Sequence, residues 1–500
     1  MRASYFPPLV RFSTLLLFPA GAGILSAGDH VLVVGDSLTK EYRSEFVALY
    51  PDRPAAWSAR NWIEILDERR HDVFDLGSWD FYSDPRLTGH EFNWAKPGGT
   101  AREFRNFLRQ TPDAEAEVRA SSGGDAAWAM YPSWRSTFTG YVPQSQRLVV
   151  FFGGNDLALC NSDPEANPEV NGSPVQVDYE RMYAGTYGAA SDPERMRTSI
   201  RSNVKSILQW FRDTRPGPNG TVIPARFTGP MILCAVPHVG CTPKLQAEAG
   251  TDPAKTAVIT QMIETLNVEL RDFAASKDVG FADVYAVTKR ILDPAPFEIG
   301  GVTFQKAADP DCHPRYLFSG DGFHPNTAAQ AKIAQVVADA FLTKYPNESG
   351  DLQRVSDREI VSGVLGLPKD TGYSEWLTAE AVPSGQRGPL GDPDGDGVAN
   401  VMEYALDGRS AATFESGELF TVVRQPHDSG VGEVLVVLWK PRFEENAYCD
   451  LVPQLSSGLS DWEDIPPEAV VKSGNGWRHL ELQISGGGSR FFRLKAVVAP

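Results

Sequence analysis

Two short stretches of this chain hold the residue types needed for acyl transfer. Gly35-Asp36-Ser37-Leu38 follows directly on the apolar run Val31-Leu32-Val33-Val34. Far along the chain, Asp321-Gly322-Phe323-His324-Pro325-Asn326 puts a carboxylate and an imidazole three residues apart. A serine hydroxyl is a weak nucleophile until a base takes its proton during attack. An imidazole titrating near neutrality can take it. A carboxylate beside that imidazole fixes its tautomer and stabilises the imidazolium that forms. Ser37, His324 and Asp321 are therefore the expected nucleophile, base and orienting acid. The competing reading of Ser37 is a helix N-cap. His313, in Asp311-Cys312-His313, is a competing base but lacks the Asp-x-x-His order. His238, in Val236-Pro237-His238-Val239-Gly240-Cys241, reads as a structural loop histidine behind a strand, with lining of the cleft as the alternative.

Two more blocks lie between these. Asn93-Trp94-Ala95-Lys96-Pro97-Gly98-Gly99-Thr100 comes first, and Gly153-Gly154-Asn155-Asp156 follows the apolar run Leu148 to Phe152. With four blocks in this order, residues 28 to 345 resemble the SGNH (GDSL) hydrolase family. The resemblance implies an oxyanion hole made of the backbone N–H of Ser37, the backbone N–H of Gly98 and the side-chain amide of Asn155. Glycine suits the second position because no Cβ blocks close approach of the backbone. An amide suits the third because it donates without carrying charge.

These residues need elements to hold them. Continuous apolar runs at Val31 to Val34, Leu148 to Phe152, Met231 to Val236 and Val279 to Val284 suit parallel strands covered on both faces. Helical patterns fall between and after them, at Ser199 to Phe211, Ala254 to Ser276 and Thr327 to Tyr345. The alternation predicts an α/β fold, a three-layer α/β/α sandwich with a parallel sheet. Aromatics gather between Ser78 and Gln144, and a polar insertion runs from Asn161 to Glu194. Those aromatics are read either as sugar-stacking platforms or as packing.

From about 346 the character changes. Residues 346–391 read as a polar linker with a short helix near Trp376. Residues 411–500 read as a small all-β sandwich, with β-type runs at Leu419 to Arg424, Glu433 to Trp439, Leu480 to Ile484 and Phe491 to Val498. Between them, residues 392–403 follow the spacing of a twelve-residue calcium loop. Oxygen side chains stand at its positions 1, 3, 5, 9 and 12, and a glycine stands at 6. Asp392, Asp394, Asp396, Asn400 and Glu403 supply those oxygens, and Val398 offers its carbonyl. This stretch resembles the EF-hand-like and thrombospondin type 3-like loops of secreted proteins, which implies structural Ca²⁺. The alternative is an acidic Gly-rich linker that binds nothing.

Composition sets the outer bounds. Five hundred residues exceed one typical domain. A net charge of -17 argues against nucleic acid and anionic membrane surfaces as partners. Arg2 and Arg11, the apolar stretch from Leu15 to Leu25 and the small residues Ser26-Ala27 read as an export leader over residues 1–27. No later segment is apolar enough to span a bilayer. Five cysteines in an oxidising compartment allow one pair, for which Cys241 with Cys312 is the expectation. Buried free thiols are the equal alternative.

The resulting expectation is a secreted, periplasmic or cell-surface serine esterase with no catalytic cofactor. Its substrate would be a small-molecule or polysaccharide ester, above all an O-acetyl ester of a carbohydrate. A lipase or general carboxylesterase is the near alternative. A non-catalytic carbohydrate- or surface-binding protein is the distant one.

Overall fold

Val31–Gly35 is buried along its whole length, as a strand covered on both faces must be. In the computed structural model this strand, β1, opens a four-stranded parallel sheet. The structure describes residues 29–78, 90–109, 133–158, 186–187, 190–191, 193–249, 253–348, 350–406, 411, 420–426, 433–473, 476–483 and 491–499. The expected leader, Cys160, most of the polar insertion and the aromatics Trp79, Phe81, Tyr82, Trp128 and Tyr131 lie outside these residues.

The first helices are α1 (Tyr42–Leu49), α2 (Trp62–Arg70), α3 (Ala101–Leu108) and α4 (Ser133–Tyr141). Strand β2 (Arg147–Phe151) precedes α5 (Gly154–Ala158) and α6 (Pro193–Arg212). Strand β3 (Met231–Cys234) is followed by α7 (Pro243–Ala249) and α8 (Pro253–Ser276). Strand β4 (Gly280–Ala282) leads into α9 (Val284–Leu292). The four strands pair in the order β1-β2-β3-β4, all parallel.

Successive side chains of a strand point to opposite faces, and the two faces are packed differently. Leu32, Val34, Leu148, Val150 and Leu233 join one apolar core with α3, α6 and α8. Val31, Val33, Val149, Phe151 and Ile232 join a second core with α2, α9 and the helix α10 (Thr327–Lys344). The result is the three-layer α/β/α arrangement expected from the apolar runs.

A second sheet stands between α9 and α10, and nothing in the apolar pattern announced it. Strands β5 (Phe297–Ile299) and β6 (Val302–Asp309) form an antiparallel hairpin, and β7 (Tyr316–Ser319) runs parallel to β6. Strand β7 ends where the Asp321–His324 loop begins.

The stretch 346–391 is packed rather than bare. Leu352, Val355, Ile360, Val361 and Leu365 enter the second core. Helix α11 (Thr371–Ala379) places Tyr373 and Leu377 against Tyr404 of α12 (Asn400–Ala405).

Two antiparallel sheets follow. One holds β8 (Thr421–Pro426), β9 (Glu433–Trp439), β12 (Val471–Lys472) and β13 (Arg478–Gln483). The other holds β10 (Cys449–Ser456), β11 (Glu463–Asp464) and β14 (Phe491–Val498). Val437, Trp439, Leu480 and Leu494 fill the space between the sheets. The module meets the hydrolase portion at the β5–β6 turn, where the Ala447 N–H donates to the Gly300 carbonyl at 3.0 Å.

The described cysteines 234, 241, 312 and 449 are free and buried, which corrects the expected Cys241–Cys312 bridge. Cys241 packs in the second core, whereas Cys312 packs apart from it with Tyr42 and Phe46. Burial pushes both thiols up to about 12, so they remain protonated.

Candidate active site

Strands of a parallel sheet end at a common edge, and ligands bind beyond their carboxyl ends. Here that edge gathers three of the four sequence blocks. β1 runs out into Asp36 and Ser37. The chain turns tightly there, with the Thr39 and Lys40 N–H groups donating to the Asp36 carbonyl at 3.0 and 3.1 Å. Helix α1 starts only at Tyr42, so Ser37 caps no helix. The Asp36 carboxylate accepts from the Leu38 N–H at 2.9 Å and braces the turn from below.

The second block runs beside β1. Trp94 N–H donates to the Val33 carbonyl at 2.8 Å and Lys96 N–H to the Gly35 carbonyl at 3.0 Å. The Asn93 amide reaches across to the Thr39 carbonyl at 3.0 Å. This register brings the exposed Gly98 to the sheet edge with a φ of +71°, a region glycine enters without strain. A Cβ at Gly98 would meet no protein atom within 4 Å, so the space beside it is open.

The third block continues β2. Gly153 takes a φ of +115°, and a Cβ there would lie 2.6 Å from Val236. Only glycine lets this turn sit against the segment that follows β3. Beyond it, the Asn155 amide donates to the Gly99 carbonyl at 3.3 Å. Asp156 accepts from the Ala101 N–H, at the start of α3, at 2.8 Å. The second and third blocks are thereby tied to each other.

The fourth block is a loop held by its own hydrogen bonds. One Asp321 oxygen accepts from the N–H groups of Phe323 and His324 at 2.8 and 2.9 Å and from the Ser319 hydroxyl at 2.9 Å. The other meets His324 Nδ1 at 2.5 Å. The Tyr50 hydroxyl closes the ring, accepting from the Asp321 N–H at 3.2 Å and donating to Ser319 Oγ at 3.3 Å. Asn326 caps α10 and pins the loop to the His313 and Tyr316 carbonyls. Tyr42 donates from its hydroxyl to the Pro325 carbonyl at 2.9 Å and accepts from Gln330 at 2.7 Å.

The electrostatics follow from this packing. Burial alone would raise the Asp321 carboxyl, but the His324 ring and the two backbone donors hold it well below its ordinary value. Burial alone would lower His324, but Asp321, with Glu45 and Asp36 behind it, raises the imidazole above its ordinary 6.5. His324 Nε2 is buried and has no hydrogen-bond partner, although its side chain as a whole is 15% exposed. Burial pushes Asp36 and Asp156 each up to about 7, with their mutual repulsion adding to Asp36.

Ser37, Asn155, Phe323 and Pro325 line one cavity, so nucleophile, amide and the residues on either side of His324 share a space. His238 also lines it, fully buried, with Nε2 2.9 Å from the Thr260 hydroxyl. His313 stays on the β6–β7 turn, where its Nδ1 accepts from the Arg315 N–H at 3.2 Å. Sequence reasoning missed Tyr42, Tyr50, Ser319, Glu45 and Gln330 as supports of the base. Only Ser319 carried a local signal, a hydroxyl two residues before the acid. Of the clustered aromatics within the described residues, Phe92, Trp94 and Trp134 are buried in the packing and present no platform.

A second cluster lies in the acidic loop. Asp392, Asp394 and Asp396 each bring a carboxylate oxygen within 4.8 Å of the others. Asn400 and Glu403, later in the same loop, are fully buried. The Asn400 amide nitrogen donates to the Gln386 and Gly388 carbonyls at 2.7 and 3.1 Å, while its Oδ1 is buried without a hydrogen-bond partner. Three clustered carboxylates and a buried, unpartnered amide oxygen within one twelve-residue loop form a donor set of the type that fits a hard divalent cation.

Comparison with known proteins bears on the hydrolase portion. The family model of GDSL-like lipases and acylhydrolases matches residues 31–337. Among solved structures, LAE5, an alpha/beta hydrolase enzyme from the metagenome of Lake Arreo, Spain, aligns at 16% identity over 66% of this chain and 98% of its own, with a TM-score of 0.29. A variant of Axe2, an acetyl xylan esterase from Geobacillus stearothermophilus, aligns at 15% identity over 65% of this chain and 96% of its own, also with a TM-score of 0.29. No curated protein matches the chain. The family model covers more than half of the chain and spans all four blocks described above, so this protein belongs to the GDSL-like lipase/acylhydrolase family and is a hydrolase.

Proposed function

We propose that this hydrolase is a serine esterase that works through an acyl-Ser37 intermediate. Ser37 Oγ attacks the ester carbonyl carbon while His324 Nε2 takes its proton. Asp321 keeps Nδ1 protonated and balances the imidazolium. The carbonyl oxygen becomes an oxyanion held by the N–H groups of Ser37 and Gly98 and by the Asn155 amide. Collapse breaks the C–O bond to the alcohol, which leaves with the proton from His324. Water then repeats the sequence, with His324 as base, and releases the acid and free Ser37. The observation that carries this reading is the cavity shared by Ser37, Asn155 and the neighbours of His324. The purified chain should hydrolyse p-nitrophenyl acetate, and Ser37→Ala should remove at least about 10⁴-fold of kcat. Equal turnover by that variant rejects the mechanism.

The substrate is proposed to be an O-acyl ester of a carbohydrate, met outside the cytoplasm. The leader-like residues 1–27 and the appended β module support this reading. Retention of the chain on acetylated polysaccharide, with release of acetate, tests it. Loop 392–403 is proposed to hold Ca²⁺ through Asp392, Asp394, Asp396, the Val398 carbonyl, Asn400 and Glu403, in a structural role. Bound there, the ion would offset the repulsion of the carboxylates and fix the entry to α12. No helix of the described residues is long and apolar enough to cross a membrane.

A further inference from the structure

The cavity beside Ser37 is small, with a volume of ≈ 40 Å³. Apart from Ser37 and Asn155 its walls are largely apolar, with Val287 and Ile291 from α9, Ile333 from α10, Phe318 from β7 and Phe323 beside the base. Most of the polar groups that reach it are engaged, while the Thr242 hydroxyl and His238 Nδ1 are buried without a hydrogen-bond partner. The Thr288 hydroxyl donates to the Tyr285 carbonyl at 3.0 Å and accepts from the His238 N–H at 2.8 Å. The His238 ring is held at Thr260, and burial brings its pKa down to about 4, so it is neutral at working pH.

We propose that this cavity is the acyl pocket, and that it admits acetyl and propionyl groups while excluding acyl chains of four carbons or more. The inference rests on Ser37 being the nucleophile. Two physical arguments support it. The first is size. An apolar cavity of about 150 Å³ holds benzene, with its six heavy atoms. In the same proportion, the present cavity has room for about one or two heavy atoms beyond the reacting carbonyl. That is the methyl of an acetyl group or the ethyl of a propionyl group. Core side chains of Val287, Ile291 and Ile333 close it, and a packed interior yields little to a longer chain.

The second argument is polarity. A hydroxyl-rich alcohol entering this space would give up several hydrogen bonds to water and meet few open partners, the Thr242 hydroxyl and His238 Nδ1. An alkyl stub loses nothing of that kind and gains by leaving water. The acyl half therefore takes the cavity, and the alcohol half stays on the side of the exposed Gly98, where it meets solvent. The pocket sets the acyl group by size and leaves the alcohol free to be large and polar.

The test is a chain-length series on the full chain, using p-nitrophenyl acetate, propionate, butyrate and hexanoate. We expect kcat/KM for butyrate to fall at least about tenfold below acetate, and hexanoate to fall further. Val287→Ala should raise the butyrate-to-acetate ratio at least about threefold. Ile291→Ala makes the same enlargement independently, should the first variant fold poorly. A wild-type chain that cleaves butyrate or hexanoate as fast as acetate overturns the pocket assignment. So does an unchanged ratio in both folded variants. Ser37→Ala, run in parallel, separates the two levels. If it kills all ester cleavage while the length profile is flat, only the pocket falls. If it leaves cleavage intact, the nucleophile assignment falls with it.

Discussion

Two loops of this protein present aspartates to their own backbone N–H groups, and they serve opposite ends. In the loop after β7, Asp321 accepts from the N–H groups of Phe323 and His324. In the loop before α12, Asp392 accepts from the N–H groups of Gly395 and Gly397 at 2.9 and 3.0 Å. The local geometry is similar, but the partners differ. Asp321 has a titratable cation inside its own loop, the His324 ring. Asp392, Asp394 and Asp396 have one another, three like charges at close range. The first loop can hold and release a proton without outside help. In the proposed reading the second takes its counter-charge from a cation in solution. On the proposed functions, one arrangement of short polar loops would serve proton handling in one place and ion binding in the other, depending on whether the counter-charge is built in.

Perturbing the built-in pair should have the larger chemical effect. Asp321→Asn should lower kcat about 10⁴-fold while leaving KM for p-nitrophenyl acetate within about threefold, because the wrong tautomer is held in a nearly unchanged site. Loss of less than tenfold would break the comparison at its first limb. Next comes the oxyanion side. Asn155→Ala should cost about 10²–10³ in kcat, measured with the same ester.

Supports one layer further out should matter less. Ser319→Ala or Tyr50→Phe removes one link of the ring around the Asp321 carboxylate, and kcat should fall about tenfold with KM nearly fixed. A wild-type kcat in both would show that the two N–H donors alone position the acid. The pH dependence sharpens the same point. Only the neutral imidazole accepts a proton, and the folded protein raises this pKa above 6.5. Hence kcat/KM should rise with pH through a midpoint above 6.5. The midpoint should drop in Asp321→Asn, where the main raising cause is gone.

The cation loop should show the reverse pattern, an effect on stability with almost none on chemistry. Extracellular calcium modules bind at about 0.1–1 mM. At 10 mM Ca²⁺ such a site would stabilise the fold by about 1.4–2.7 kcal/mol. Chelation should then lower Tm by about 3–8 °C, with kcat at 25 °C changed less than about twofold. A Tm indifferent to Ca²⁺ and to Asp394→Ala would leave the loop a turn without an ion.

Much of this was legible in the residues alone. The parallel strands coincide closely with apolar runs, because a strand covered on both faces has few polar positions; the exceptions are the buried Arg147 that opens β2 and Asp283, which ends β4 inside its run. The acid–base spacing was legible because one turn of chain contains it. The second sheet was not. Its strand β6 alternates buried Val302 and Phe304 with half-buried Thr303 and exposed Gln305, a pattern too short and mixed to stand out. Strand β10, broken by Pro453, was missed for a related reason. The braces of the base were also invisible. Tyr42 meets the carbonyl of Pro325, and Tyr50 meets Ser319, across most of the hydrolase portion.

What the sequence determined by itself was everything that depends on near neighbours. That covers the parallel strands and the long helices, the suitability of glycine at position 98, the pairing of Asp321 with His324 and the twelve-residue spacing of the acidic loop. These follow from backbone sterics, side-chain period and the short reach of a carboxylate. Tertiary structure alone decided which distant parts share one space: Ser37 with Asn155 and the flanks of His324, and the small apolar cavity beside them. Parallel strands end together at one edge only once the sheet has assembled. A cavity's volume is set by how helices α9 and α10 close over that edge, which no local pattern encodes.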